Sequence, residues 1–185
     1  GAGALYVRAG IKLVPLLGGG GQEASLRSGT QALPAISAFG VAAELAAAEM
    51  STEVFRLISL RDRLFDLMAD YPCLETTGDR IYRLPHHVSF ILSDRFAAQA
   101  QDITGKTIVR QLNQAGIGIS AGSACHSGKL NPSPVLSAMG YNCAAAKRGI
   151  RLTLGKDTVE ADIDWTAMVL KQVICRLTPP LVCCG

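Results

Sequence analysis

Apolar residues recur at intervals of three and four from Thr30 to about Met68, and Pro72 closes the stretch. Ile36, Phe39, Ala43, Ala46, Ala47 and Met50 lie on one such stripe, and Val54, Leu57, Ile58, Leu64, Leu67 and Met68 continue it. That spacing predicts helix throughout, because residues three and four apart share one face. The residue before a proline is steered out of the helical region, so the run ends by Pro72. The Ser51-Thr52 pair is a candidate break between two helices. A helix this long divides the chain: an outer layer of one domain, residues 1–70, and a second domain, residues 71–185.

The second part alternates between the two periodicities. Arg83 to Leu92 ends in a β-rich run; Ile103 to Ala115 puts Ile108, Val109 and Leu112 on one helical face, with Gly116 as its stop. Ile117 to Ser120 reads as a short strand, and Asn131-Pro132 as the cap of a short helix ending at Gly140. Ile150 to Leu154 alternates as a strand. Asp157-x-x-Glu160 has the form of a capping box before a helix that turns Ile163, Leu170, Val173 and Ile174 inward. Strands separated by helices indicate a small layered α/β or α+β domain. Before the long helix, Gly1 to Arg8 reads as a strand entered through a glycine turn. Ile11 to Leu17, interrupted by Pro15, reads as an edge strand or extension, and Gly18 to Gly21 as a loop.

Composition narrows the function classes. At 49% hydrophobic and 18% charged, the chain can offset the entropy of ordering itself, which excludes disorder as its main state. Ala35 to Met50 carries Glu44 and Glu49, short of the ~18 clean apolar residues of a spanning helix, so no membrane span is expected. A net charge of +3 without a clustered basic patch does not favour nucleic acid. The six cysteines, at 73, 125, 143, 175, 183 and 184, include no CxxC pair, and no secretory leader is seen. Free thiols in a reducing cytoplasm are the simplest reading.

Three places hold candidate chemistry. The small, polar, glycine-containing segment from Ala121 to Asn131 reads as a surface loop, and it carries Cys125 beside His126 and Lys129. Those neighbours favour a thiolate, the nucleophilic form; a free surface cysteine without a role is the equal alternative. The glycine loop with Arg27-Ser28-Gly29-Thr30 before a helix suits an anion, or is a simple turn with Thr30 as helix cap. Arg151 stands among apolar neighbours in a strand, where its fork suits a carboxylate, either a ligand's or that of an internal ion pair. His86 and His87 lack metal-ligand spacing with any other His or Cys pair and read as structural, so no metal site is expected.

The segments GAGALYVR, GGGGQEASLRSGT, GIGISAGSACHSG, NPSPVLSAMG and GIRLTLG follow one another in this order. Together they resemble the cysteine desulfurases of the NifS/IscS type, fold-type I enzymes of the class V aminotransferase family that use pyridoxal 5'-phosphate. The likeness extends to about Leu177. SAGSAC resembles the long SGSAC-type loop, with Ala121 where the family often has Ser, and not the short RxGHHC loop; it also argues against a related lyase. The resemblance implies an α/β chain made of outer elements of the large domain and a complete small C-terminal α+β domain. It implies that Cys125 takes the sulfur of a cofactor-bound L-cysteine, releasing alanine and leaving a persulfide. Arg151 would hold the substrate carboxylate, and Thr30 the cofactor phosphate of the other subunit of a homodimer. A sulfur acceptor or iron-sulfur scaffold protein would take the persulfide. The family's cofactor lysine lies upstream of the GAGALYVR strand and is not in this sequence, so the chain alone is expected to be inactive. The alternative is a non-catalytic module that binds a complementary chain or a sulfur-acceptor protein.

Overall fold

The computed structural model describes residues 1–94, 103–122 and 132–177. Contacts divide the chain into Gly1–Thr52 and Glu53–Gly185, so the division falls inside the long helix α1, Leu33–Ala69. Ser51-Thr52 does not interrupt that helix, contrary to the break expected there.

In the first unit no residue is buried. No strand forms over residues 1–22, although Gly1 to Arg8 and Ile11 to Leu17 were expected to be extended. A strand is stable only when its N–H and C=O groups meet a neighbouring strand, and this unit supplies none. The glycine loop closes on itself instead: Ser28 N–H donates to the Leu17 carbonyl at 3.3 Å, and Gly29 N–H to Gln22 Oε1 at 3.1 Å. Inside it, Glu23, Ala24 and Ser25 all take positive φ, a left-handed turn that disfavours side chains with a Cβ. Thr30 is not the cap of α1. Ile36 N–H bonds to the Ala32 carbonyl at 3.0 Å, so the helix opens there, with Pro34 filling a first-turn position that needs no N–H.

One window of α1 near its start has a mean hydropathy of 1.3 and is wholly unburied. By length and composition α1 is therefore apolar enough to cross a membrane, which corrects the expectation drawn from Ala35 to Met50. Alanine, valine and leucine outweigh the two glutamates in the average.

The second unit is built on a four-stranded antiparallel sheet in the order β1-β2-β4-β3: β1 Leu74–Thr76, β2 His87–Leu92, β3 Ser120–Ala121 and β4 Gly149–Thr153. Alternation splits β2 and β4 between two faces. Val88, Phe90 and Leu92 with Ile150 and Leu152 face the core. Against them pack Leu57, Leu60, Leu64, Phe65 and Met68 of α1, and Ile108 and Leu112 of α2 (Gly105–Gln114). The last helix, Glu160–Leu177, adds Ile163, Leu170, Val173 and Ile174, all inward as their spacing predicts. Phe65 meets Phe90 edge to face, with centroids 5.5 Å apart.

Helix α2 ends at Gly116, whose φ of +78° lets Gly116 and Ile117 donate back to Asn113 and Leu112. The remaining boundaries differ from the sequence reading. Helix α3, Pro134–Ala138, is capped by Ser133 and not by Asn131-Pro132; Ser133 Oγ accepts from Leu136 N–H at 3.3 Å. A further short helix, α4 at Cys143–Ala146, is capped by Asn142. The last helix, α5, begins at Glu160, so Glu160 is not the third residue of a capping box; Asp162 Oδ2 accepts from Val159 N–H at 2.9 Å instead.

Candidate active site

On the sheet face away from the core, His87, Ser89 and Arg151 point outward, because they alternate with the buried Val88, Phe90, Ile150 and Leu152. Antiparallel register sets Ser89 opposite Arg151, with Ser120 of β3 on the other side of Arg151. A cleft of about 520 Å³ lies over this floor. The 77–84 segment forms one wall, and α3 with Ser133 forms another. Gly122, three residues before Cys125, lines it too.

Each wall is fixed by particular bonds. Thr77 Oγ1 and Ser89 Oγ are 2.5 Å apart, and Thr77 N–H donates to the Ser89 carbonyl at 3.1 Å. Asp79 Oδ1 accepts from Ile81 N–H at 2.6 Å and Tyr82 N–H at 2.8 Å. Those two bonds, Tyr82's first, hold its carboxyl below the usual carboxylate range. The Arg83 guanidinium donates to the carbonyls of Thr77 and Asp79 and lies 5.0 Å from the Phe65 ring centroid. Burial, then the nearby Arg61, lower its pKa. Two glycines let the elements close in. A Cβ on Gly105 would stand 2.3 Å from the Gly149 carbonyl oxygen, and one on Gly149 would stand 2.4 Å from Leu136 Cδ1.

Arg151 is exposed on this floor, and among the described residues no carboxylate or hydrogen-bond acceptor engages its guanidinium. Among the described residues the internal ion pair left open by the sequence is not formed. Thr30 lies in the other unit, exposed, three residues before α1. Cys125, with His126 and Lys129, lies outside the described residues.

His87 was read from the sequence as structural, yet it lines the cleft. Its Nδ1 lies 3.4 Å from Arg83 Nη1, and its pKa is lowered by burial first, then by Arg83, Arg151 and His86. The signal that could have found it is the two-residue period of HHVSF, which puts His87 and Ser89 on one face.

The model of the family described as aminotransferase class-V matches residues 1–165. Cysteine desulfurase IscS 1 of Archaeoglobus fulgidus is 44% identical over 177 residues, which cover 96% of this chain and 44% of that protein. A cysteine desulfurase of Gluconacetobacter diazotrophicus is 40% identical over 178 residues, covering 96% of this chain and 42% of that protein. The chain thus spans less than half the length of these relatives. Among solved structures, a NifS-like protein superposes with a TM-score of 0.74 at 30% identity, over 93% of this chain and 41% of its own. The X-ray structure of a NifS-like protein from Rickettsia africae also gives 0.74, at 24% identity, over 88% of this chain and 40% of its own. With the family model matched over most of its length, the chain belongs to the aminotransferase class-V family, and its relatives there are cysteine desulfurases.

Proposed function

We propose that this chain carries the carboxylate-binding and sulfur-accepting part of a cysteine desulfurase that uses pyridoxal 5'-phosphate. The observation that carries the reading is Arg151: an exposed cation without a partner among the described residues, on the floor of a cleft that Gly122 and Ser133 line from either end of the Cys125 segment. Its guanidinium takes the α-carboxylate of L-cysteine by two parallel hydrogen bonds, a geometry lysine cannot supply. Cys125 follows the cleft-lining Gly122 by three positions in the sequence. Cys125 then accepts the substrate sulfur as a persulfide, alanine leaves, and a sulfur acceptor or iron-sulfur scaffold protein takes the sulfur onward.

The cofactor, when bound, supplies an electron sink at the carbon bearing the amino group. Thr30 is exposed, and its hydroxyl suits one oxygen of the cofactor phosphate, in the homodimer that of the partner subunit. That single contact supplies only part of a phosphate site. The 185-residue polypeptide alone is therefore expected to retain no cofactor through dialysis and to release no alanine from L-cysteine. Cys143 is a free thiol, which suits a reducing cytoplasm.

A second reading, a module completed by a complementary chain, is favoured by the first unit. Leu5, Tyr6, Ile11, Val14, Leu16 and Leu17 are exposed there, and that much apolar surface calls for a covering partner. The deciding experiment is Arg151→Gln in the longest open reading frame that contains this sequence. Loss of L-cysteine turnover through KM, with the fold intact, supports the desulfurase reading; unchanged KM refutes it.

A further inference from the structure

Arg151 is not the only basic group on the cleft floor. His87 sits two residues from Ser89, the register partner of Arg151, and on the same sheet face. We propose that Arg151 and His87 form a two-point receptor for a small carboxylate, with Arg83 as the positioning residue that holds His87. The proposal rests on the reading of Arg151 as the carboxylate site and adds a second ligand to it.

Arg83 has no carboxylate partner of its own among the described residues. Its guanidinium is tied to the carbonyls of Thr77 and Asp79 and braced on Phe65, so it is a fixed cation. Its Nη1 lies 3.4 Å from His87 Nδ1, so Arg83 borders the ring from the loop side. The ring also bonds its own backbone carbonyl, and a proton gained on binding makes both ring nitrogens donors. The charged and titratable groups around the ring are Arg83 from the preceding loop, His86 beside it and Arg151 from β4, none of them anionic. Asp79, the carboxylate that lines the same cleft, is occupied by the N–H groups of Ile81 and Tyr82. The empty receptor thus disfavours a proton on His87, and a bound carboxylate reverses that by offsetting the two guanidinium charges. Binding then takes up a proton, and each unit by which the His87 midpoint rises makes the carboxylate bind roughly tenfold tighter at acid pH.

The probe is propionate, which has alanine's carboxylate and carbon chain without the ammonium. It is titrated into the 185-residue chain with labelled histidine, between about pH 5.5 and 8, where propionate stays ionised. Amide shifts at Ser89 and Arg151 report binding, and the imidazole resonances report the His87 midpoint. Propionate is expected to move those amides and raise the midpoint, both effects vanishing in Arg151→Gln. His87→Gln is expected to weaken binding and leave it independent of pH, with His87→Asn as the second variant should the first lose its dispersed β2 and β4 amides. Amide shifts that depend on Arg151 while the His87 midpoint stays fixed would overturn the receptor and leave the desulfurase reading standing. Absence of any Arg151-dependent shift would overturn both.

Discussion

At Gly105 the first residue of α2 meets the backbone of β4, with its N–H donating to the Lys147 carbonyl at 3.0 Å and no room for a Cβ beside the Gly149 oxygen. Gly105→Ala should destabilise the chain by about 1–3 kcal/mol, the cost of forcing extra volume into a packed contact. Urea unfolding measures it, and an unchanged midpoint would mean the contact relaxes freely. Arg151 behaves in the opposite way: exposed and without a partner among the described residues, it should tolerate Gln with a stability change within about 0.5 kcal/mol. His87 gives a pH signature. Its folded-state pKa lies below the unfolded value, so the unfolded chain binds the proton more readily. The associated stability is present above about pH 6.5 and is lost as pH falls through the folded-state midpoint. His87→Gln should flatten that part of the stability–pH curve; an unaltered slope would show that another group is responsible. None of this was legible from the dipeptide His86-His87, since the role of His87 depends on a strand partner about sixty positions away.

Elements with a strong period were legible and their ends were not. The inward stripe of α5 stands as its spacing predicts, and in α2 Ile108 and Leu112 are buried while Val109, expected on the same face, is half-buried outside the core. Burying those faces against β2 and β4 is what forms the helices. The caps moved by a few residues, since several side chains compete for each helix end. Near α3, Ser133 wins because Pro134 then occupies the first helical position, where no N–H is needed. Ser133→Ala should cost about 1 kcal/mol by thermal unfolding, and no change would show that the cap is idle. Leu64, wholly buried on α1, should cost about 2–5 kcal/mol on truncation to Ala, far more than any cap. The β1 strand was missed because three residues give no period to read, and the expected strands at residues 1–8 and 11–17 failed for want of a pairing edge.

At the scale of the whole chain, burial is confined to one unit. Glu53 onward contains every buried residue described, while Gly1–Thr52 contains none. Amide exchange on the full chain should therefore be slow in β2, β4, α5 and the second half of α1, and fast from Gly1 to Thr30. Strong protection over Gly3 to Arg8 would contradict the unburied first unit. The order of the motifs made the family legible, but the cleft was not, because its floor, walls and rim come from segments that meet only through the sheet.

The central claim joins Arg151, in that cleft, to Cys125 as the sulfur acceptor, and peptide mass mapping after exposure to L-cysteine tests it most directly. The longest open reading frame containing this sequence is used, with pyridoxal 5'-phosphate present. The account predicts the mass of one added sulfur atom on the Cys125 peptide, alanine released alongside, and loss of both in Arg151→Gln. Alanine released while the added sulfur sits on Cys73, Cys143 or Cys175 and never on Cys125 would contradict it.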